Sequence, residues 1–146
     1  MDIRVQRLAH LLVDYSVDIQ PGERVAILSS PAAADLIRPV YERVLERGGH
    51  PFLNIGLPGT EEIFYRVASD EQLRFISPVD RIVFEEYEAL ISIRAATNTR
   101  ELNDTDPAKQ TMRNKARRPL IQTYMERAAA GDFKWSGTLF PTQAYA

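Results

Sequence analysis

The chain has 146 residues, which is about the length of one domain. Hydrophobic residues make up 45% of it and charged residues 26%, a composition that excludes a disordered or collagen-like chain. The formal net charge of −2 provides no basic field for nucleic acid or an anionic membrane surface. The absence of cysteine excludes a disulfide scaffold, a thiolate metal site and a cysteine nucleophile, and it favours a reducing cytoplasm.

No apolar run approaches the roughly 20 residues that cross a bilayer. The charged amino-terminal residues are not typical of a signal peptide. We therefore predict a cytoplasmic protein that binds neither nucleic acid nor membranes.

The first predicted element is an amphipathic helix over residues 2 to 15. Its apolar side chains recur at intervals of three and four residues: Val5, Leu8, Leu11, Leu12 and Tyr15. The dipeptide Pro21-Gly22 indicates a turn. Val25 to Leu28 is short and apolar at consecutive positions, which predicts a strand that is buried on both faces.

A second helix is predicted from Pro31 to Arg47, with the hydroxyl of Ser30 as its amino-terminal cap. Gly48-Gly49 favours a left-handed ending. Pro51 to Leu57 then forms the second predicted strand, parallel to the first. The expected apolar face of the helix consists of Leu36, Ile37, Val40, Tyr41, Val44 and Leu45.

Three short helices are expected next, because three helix-start signals follow Pro58-Gly59 in succession. These are Thr60, Ser69 with Gln72, and Ser77 before Pro78.

Ala89 to Ala95 is the third predicted strand, and a long helix follows from Asp106-Pro107 to about Ala130. Pro119 lies inside that helix and predicts a kink or a break near Arg118. Lys134 to Phe140 is the fourth predicted strand.

Strands that alternate with helices predict a single α/β domain over residues 1–146. Its sheet is mostly parallel with about four strands and has helices on both faces, a flavodoxin/Rossmann-like three-layer sandwich. Only Pro141 to Ala146 follow the fourth strand, which leaves no helix to cover it. We therefore expect a fragment of a longer polypeptide.

Phosphate-binding and catalytic motifs are not evident. The sequence has neither G-x-G-x-x-G nor G-x-x-x-x-G-K-[ST], and Ser29 stands where a phosphoacceptor domain needs a carboxylate. It also lacks G-x-S-x-G and S-x-x-K. Ser29-Ser30 follows the first strand and is the one candidate for holding an anion, although Ser30 is better explained by its capping role.

Metal-ligand spacing is also absent. His10 and His50 are the only imidazoles, and neither belongs to an H-x-x-x-H or E-x-x-H motif. We expect His10 on the solvated side of its helix and His50 in a loop. The adjacent pairs Glu61-Glu62 and Glu85-Glu86 are typical of exposed helix surfaces. No metal ligand or catalytic residue is therefore predicted in this chain.

Charge is unevenly distributed along the chain. Residues 59 to 90 carry a net charge of −5, and residues 107 to 127 carry a net charge of +5. The basic run between Arg113 and Arg118 contains no aromatic residues, which disfavours nucleic-acid binding. We expect the two regions to pair with each other or with another domain.

The segment Ser92 to Leu102, SIRAATNTREL, begins in a strand and continues beyond its carboxyl end. α/β sheets commonly bind ligands at this edge. Arg94, Asn98 and Arg100 are therefore the candidate residues for a substrate cavity, the alternative being a loop held by its own hydrogen bonds.

Five segments resemble the amino-terminal domain of the leucyl aminopeptidase T / aminopeptidase S family of metallopeptidases, which are often thermophilic. They are PGERVAILSSP at 21–31, EEIFYRVASDEQLRFISP at 61–78, SIRAATNTREL, KARRP at 115–119 and TLFPTQAYA at 138–146.

The resemblance implies an exopeptidase that removes N-terminal amino acids from peptides and uses two divalent ions, zinc or cobalt. It also implies a homodimer, with all metal ligands in a carboxyl-terminal domain and an amino-terminal domain that helps to wall the active-site cavity. We therefore expect this chain alone to be inactive and free of metal. Two other interpretations are a nucleotide-binding module with an anion at Ser29 and Ser30, and a structural domain whose charged segments dock a partner.

Overall fold

The computed structural model describes residues 2–95 and 105–140. A parallel sheet with helices on both faces is built from these residues. Its elements are α1 (Ile3–His10), a π-helical turn (Leu11–Ser16), β1 (Arg24–Ser29), a 3₁₀ turn (Pro31–Ala33), α2 (Ala34–Glu46), β2 (His50–Ile55), α3 (Thr60–Val67), α4 (Asp70–Arg74), α5 (Pro78–Glu86), β3 (Ala89–Ala95), α6 (Pro107–Ala129) and β4 (Lys134–Phe140).

The sheet has the strand order β2-β1-β3-β4, and all neighbouring strands are parallel. The predicted α/β class, the four strands and the three short helices are thus confirmed. After β2 the chain returns across β1 to place β3 on its other side. The order therefore reverses between β1 and β3, and this is the switch point of the sheet.

One face of the sheet packs against α1, the π-helical turn and α2. The large core on that face includes Val25 and Ile27 of β1 and Ile91 and Ile93 of β3. On the other face, Phe84 of α5 and Leu120 of α6 meet Phe133 and Leu90 near the amino ends of the strands. A satellite cluster joins α3, α4 and α6 through Tyr65, Ala68, Leu73 and Met112.

The first helix departs from its predicted apolar stripe. The backbone widens after His10 into a π-helical turn, in which the amide of Val17 donates to the carbonyl of Leu12. A π turn holds more residues than an α turn, so the 3.6-residue spacing no longer identifies the inward side. Tyr15 is therefore 79% exposed and Leu11 is also exposed, whereas Val13 is fully buried. The prediction that Leu11 and Tyr15 face the core was wrong.

Ser30 occupies the predicted capping position, but its hydroxyl makes no capping hydrogen bond. The helix begins with a 3₁₀ turn, in which the amide of Ala33 donates to the backbone carbonyl of Ser30 at 3.0 Å. Of the predicted apolar face, Tyr41 and Leu45 are exposed, because α2 contacts the core along a narrower stripe.

The two glycines after α2 have different roles. Gly48 has a φ of 81°, and its amide donates to the carbonyl of Leu45, as in a left-handed helix ending. Gly49 is instead required for space. A Cβ there would lie 2.8 Å from Cγ2 of Ile19 and 2.9 Å from Cγ1 of Val44, and both of these side chains are fully buried. The predicted left-handed ending is confirmed for Gly48.

α6 runs without a break from Pro107 to Ala129, so of the predicted kink or break near Arg118 the break was wrong, and the kink stays a prediction. The proline removes one ladder donor, but α6 is held on either side by Met112 in the satellite cluster and by Leu120 in the sheet cluster. These tertiary contacts outweigh the local preference. No helix in the described ranges is both long enough and apolar enough to span a bilayer.

Candidate functional site

The carboxyl edge of the sheet, at the switch point between β1 and β3, is the candidate site. Parallel α/β sheets bind ligands at this position because helix amino termini and loops meet there. Ser29 ends β1, and Arg94 is the penultimate residue of β3. The sequence therefore placed Arg94 correctly at a strand's carboxyl end. Asn98 and Arg100 lie outside the described residues.

Ser29 does not offer a free hydroxyl to a ligand. Its Oγ donates to the carbonyl oxygen of Ile93 at 2.7 Å and ties the two strands together at the switch point. The first turn of α2 carries Asp35, a negative charge that disfavours an anion at that helix end. The geometry thus gives no support to the nucleotide-binding interpretation.

Arg94 is exposed, and its guanidinium has no hydrogen bond or ion pair within the part of the chain that the structure describes. Because side chains alternate along a strand, Arg94 shares a sheet face with Ser92 and lies opposite Leu139 of β4. On the same face Trp135 is 56% exposed and Leu139 is 51% exposed. Among the described residues, this face thus presents exposed apolar side chains along β4, with the cation of Arg94 near the carboxyl end of β3.

The amino edge of the sheet is different, because its charges are paired. Nε of Arg24 lies 3.2 and 3.1 Å from the two carboxylate oxygens of Glu88, and the hydrogen bonds to this carboxylate raise the pKa of Arg24. Nζ of Lys134 donates to Oε1 of Glu23 at 2.8 Å and to the carbonyl of Asp18 at 2.7 Å. The charged side chains at the amino edge are thus paired, whereas Arg94 at the carboxyl edge has no side-chain partner among the described residues.

A bidentate ion pair joins the π-helical turn to α2. Nε and Nη2 of Arg43 lie 2.9 and 2.8 Å from Oδ1 and Oδ2 of Asp14. The hydrogen bonds from Arg43 hold the pKa of the Asp14 carboxyl below its ordinary value. The two residues are 29 positions apart, and no motif in the sequence links them. Sequence reasoning did not identify this pair.

Cations on α6 bind the carboxyl ends of the three short helices. Lys109 donates to the carbonyl of Tyr65 at 2.9 Å, Arg113 to that of Leu73 at 3.1 Å, and Arg127 to that of Phe84 at 2.8 Å. Carbonyls at a helix carboxyl end lack partners within the helix and carry partial negative charge, so cations stabilise them.

The predicted pairing of the acidic and basic regions is therefore confirmed, but most of these contacts join basic side chains of α6 to backbone carbonyls and not to acidic side chains. One ion pair joins the two regions in the described residues, Arg117 with Asp80 at 3.6 Å.

The described residues form no metal centre. Within residues 2–95 and 105–140 no group of three or more His, Cys, Asp or Glu side chains is close enough to hold an ion. His10 is exposed at the end of α1, as predicted. His50 is the first residue of β2, so its predicted loop position was wrong; the parallel pairing with Arg24 extends the strand to it. Glu61, Glu62, Glu85 and Glu86 are exposed.

The fold is that of an α/β domain with a parallel sheet, and its described residues contain no cluster of metal ligands. The sequence pattern of the thermophilic metalloprotease family (M29) matches residues 1–146, and the chain belongs to this family. Its fold is similar to that of wild-type AmpT from Thermus thermophilus, with a TM-score of 0.72 and 17% sequence identity. The match covers 94% of this chain and 36% of AmpT, so the chain spans little more than a third of that protein.

Two other solved structures match more weakly. The CurK enoyl reductase has a TM-score of 0.38 at 14% identity, over 89% of this chain and 50% of its own. A putative transcription regulation repressor of the LacI family from Corynebacterium glutamicum has a TM-score of 0.36 at 10% identity, over 95% of this chain and 60% of its own. Scores this low carry no argument about fold or function. No curated protein sequence matches the chain significantly.

Membership of a metalloprotease family implies metal ions, but the described residues do not fit them. A catalytic metal centre needs several carboxylate or imidazole ligands close together, and the described part of the chain brings no three of them together.

Proposed function

We propose that this chain is the amino-terminal, non-catalytic domain of a metalloaminopeptidase that removes N-terminal amino acids from peptides. In the whole protein, two divalent ions, zinc or cobalt, are held by a separate carboxyl-terminal domain. The observation that carries the proposal is a metalloprotease family match over residues 1–146 on a fold whose described residues contain no ligand cluster. The fraction of AmpT that the chain spans, 36%, agrees with a domain of this kind.

The chain's own contribution is to wall the peptide cavity with the carboxyl edge of its sheet. Arg94 supports this role, because it is an exposed cation without a side-chain partner among the described residues, at the edge where parallel sheets present ligand-binding groups. Asn98 and Arg100 are proposed for the same wall from their positions in the sequence. A guanidinium on this wall suits the backbone carbonyls or the carboxyl terminus of a bound peptide.

An activity assay on the pure chain tests whether catalysis and metal binding belong to the other domain. Leucine p-nitroanilide is incubated with the folded chain and added cobalt or zinc, and bound metal is measured after equilibrium dialysis. We expect no turnover above buffer and no stoichiometric metal, because the described residues bring no three His, Cys, Asp or Glu side chains together. Circular dichroism and a cooperative urea transition establish that the tested chain is folded. Metal-dependent turnover by the pure chain would overturn the proposal.

The role of Arg94 is tested in the protein that carries both domains. We expect Arg94→Ala to raise KM for a tripeptide several-fold, with little effect on kcat, because the residue binds the part of the peptide away from the scissile bond. Arg118→Ala is the matched control, since Arg118 is also an exposed arginine but lies on α6. An unchanged KM for Arg94→Ala, or an equal change in the control, removes Arg94 from the cavity wall.

We also propose that the whole protein is a homodimer held mainly by its catalytic domain. Light scattering after size-exclusion chromatography should then give a monomer for this chain and a dimer for the two-domain protein. A stable dimer of the chain alone would place the dimer contact in this domain instead.

A further inference from the structure

A cleft of about 700 Å³ lies between the end of α4, the first turns of α5 and the first half of α6. Its lining residues lie on these helices and on the link between α4 and α5, so the cleft is distinct from the carboxyl edge of the sheet. Three cations line it, one from each helix: Arg74, Arg81 and Lys115. We refer to it as the α4–α6 cleft.

The charges of the α4–α6 cleft are not used by the fold. Arg74, Arg81 and Lys115 are exposed, and none of them forms a side-chain hydrogen bond or ion pair in the part of the chain that the structure describes. Of the residues that the structure describes, no carboxylate lines the cleft. By contrast, Arg113 and Arg117 of the same helix α6 are both engaged within the protein.

The cleft also has an apolar lining, which we refer to as its apolar floor. It consists of Ile76, Met112 and Ala116, and the first two are half-buried parts of the hydrophobic clusters of the domain. A thioether and an aliphatic chain form an adaptable contact for an apolar side chain.

We propose that the α4–α6 cleft binds an acidic peptide segment that carries an apolar side chain between its carboxylates. The carboxylates pair with Arg74, Arg81 and Lys115, and the apolar side chain lies on Met112 and Ile76. Arginine binds carboxylates in a planar, bidentate manner, and charge complementarity both steers and orients such a segment. A single-stranded nucleic acid needs aromatic stacking surfaces, and no aromatic residue within 2–95 and 105–140 lines this cleft. A simple anion would leave the apolar floor unused.

The test uses a fluorescein-labelled pentapeptide, Glu-Glu-Leu-Glu-Glu, and fluorescence anisotropy with the 146-residue chain. Binding should weaken as salt increases, since the cations are exposed. Each of Arg74→Ala, Arg81→Ala and Lys115→Ala should weaken binding about fivefold, as expected for one partly exposed charge contact. Arg118→Ala is the matched control, because Arg118 is exposed on α6 but does not line the cleft. Circular dichroism of each variant checks that the fold is retained, as expected for exposed side chains.

Two further peptides separate the alternatives. Glu-Glu-Ser-Glu-Glu should bind several-fold more weakly if the apolar floor is used, and Gln-Gln-Leu-Gln-Gln should not bind. Equal affinity for the serine and leucine peptides, or full competition by inorganic phosphate at equal ionic strength, would reduce the cleft to a simple anion site and overturn the proposal. So would an equal loss in Arg118→Ala, or no binding by the unmodified chain.

Discussion

The ion pair between Asp14 and Arg43 gives a sharp test of how the first helical region is held on α2. Its two hydrogen bonds of 2.8 and 2.9 Å are charge-assisted, and the side chains are only 15% and 24% exposed. A hydrogen bond to a charged group contributes about 1.5 to 3 kcal/mol, whereas a fully exposed ion pair contributes about 0 to 1 kcal/mol. A pair with this partial exposure falls between these limits, and we expect a coupling free energy of about 1 to 2 kcal/mol.

A double-mutant cycle of Asp14→Asn and Arg43→Met measures that coupling by urea denaturation at pH 7. Arg38→Met is the control, because Arg38 pairs with Asp35 on an exposed surface, and its loss should change the free energy of unfolding by less than about 0.5 kcal/mol. After Asp14→Asn, Arg43 keeps only the more distant carboxylate of Glu46, at 4.0 Å. At this distance, Glu46 replaces little of the stabilisation that Asp14 provides to Arg43.

The pH dependence of the coupling has a definite sign. The folded protein lowers the pKa of Asp14 from its ordinary value of 3.8, so its contribution to stability is fully present well above that pH. It is lost as the pH falls below 3.8 and through the lowered pKa, because the carboxylate is then protonated in both states. The wild type and Asp14→Asn should therefore converge in stability at low pH. A coupling below about 0.3 kcal/mol at pH 7, or one that persists undiminished in strong acid, would refute this reasoning.

Three further outcomes are expected. Gly49→Ala should lower the free energy of unfolding by about 1 to 3 kcal/mol, since the new methyl group would collide with two buried branched side chains. Gly56→Ala, whose methyl group meets nothing closer than 3.8 Å, should stay within about 0.5 kcal/mol in the same urea titration, and equal effects would contradict the packing argument. Arg113→Met should cost about 1 to 2 kcal/mol by losing two carbonyl contacts at the end of α4, and a neutral result would show that water replaces them fully. The fluorescence of Trp135, the only tryptophan, should be readily quenched by acrylamide, whereas a protected tryptophan would mean that the exposed sheet face is covered.

Local signals were sufficient where a few neighbouring residues decide the backbone. Ser69 and Gln72 form the predicted capping box, with both hydrogen bonds present. The consecutive apolar residues of β1 lie in the middle of the sheet, where both faces of the strand are covered along most of its length. The position of Arg94 was predictable for the same reason, because it depends only on where the third predicted strand ends.

Local signals failed where distant contacts outweigh the preference of a short segment. Proline disfavours a helix interior, yet α6 continues through Pro119 because packing on both sides holds it. The spacing of Leu11 and Tyr15 fits an α-helix, but the chain is wound as a π-helical turn there and turns both outward.

The order and types of the elements were determined by the sequence itself, since periodicity, caps and turn residues act over a few positions along the chain. Tertiary structure alone decided which charges meet. Only the folded chain brings Asp14 to Arg43 and places the cations of α6 on the carboxyl ends of three helices. It also leaves Arg94 and the three cations of the α4–α6 cleft without side-chain partners among the residues that the structure describes. The physical reason is that an ion pair depends on distance in space, and residues 29 to 44 positions apart carry no local signal of that distance.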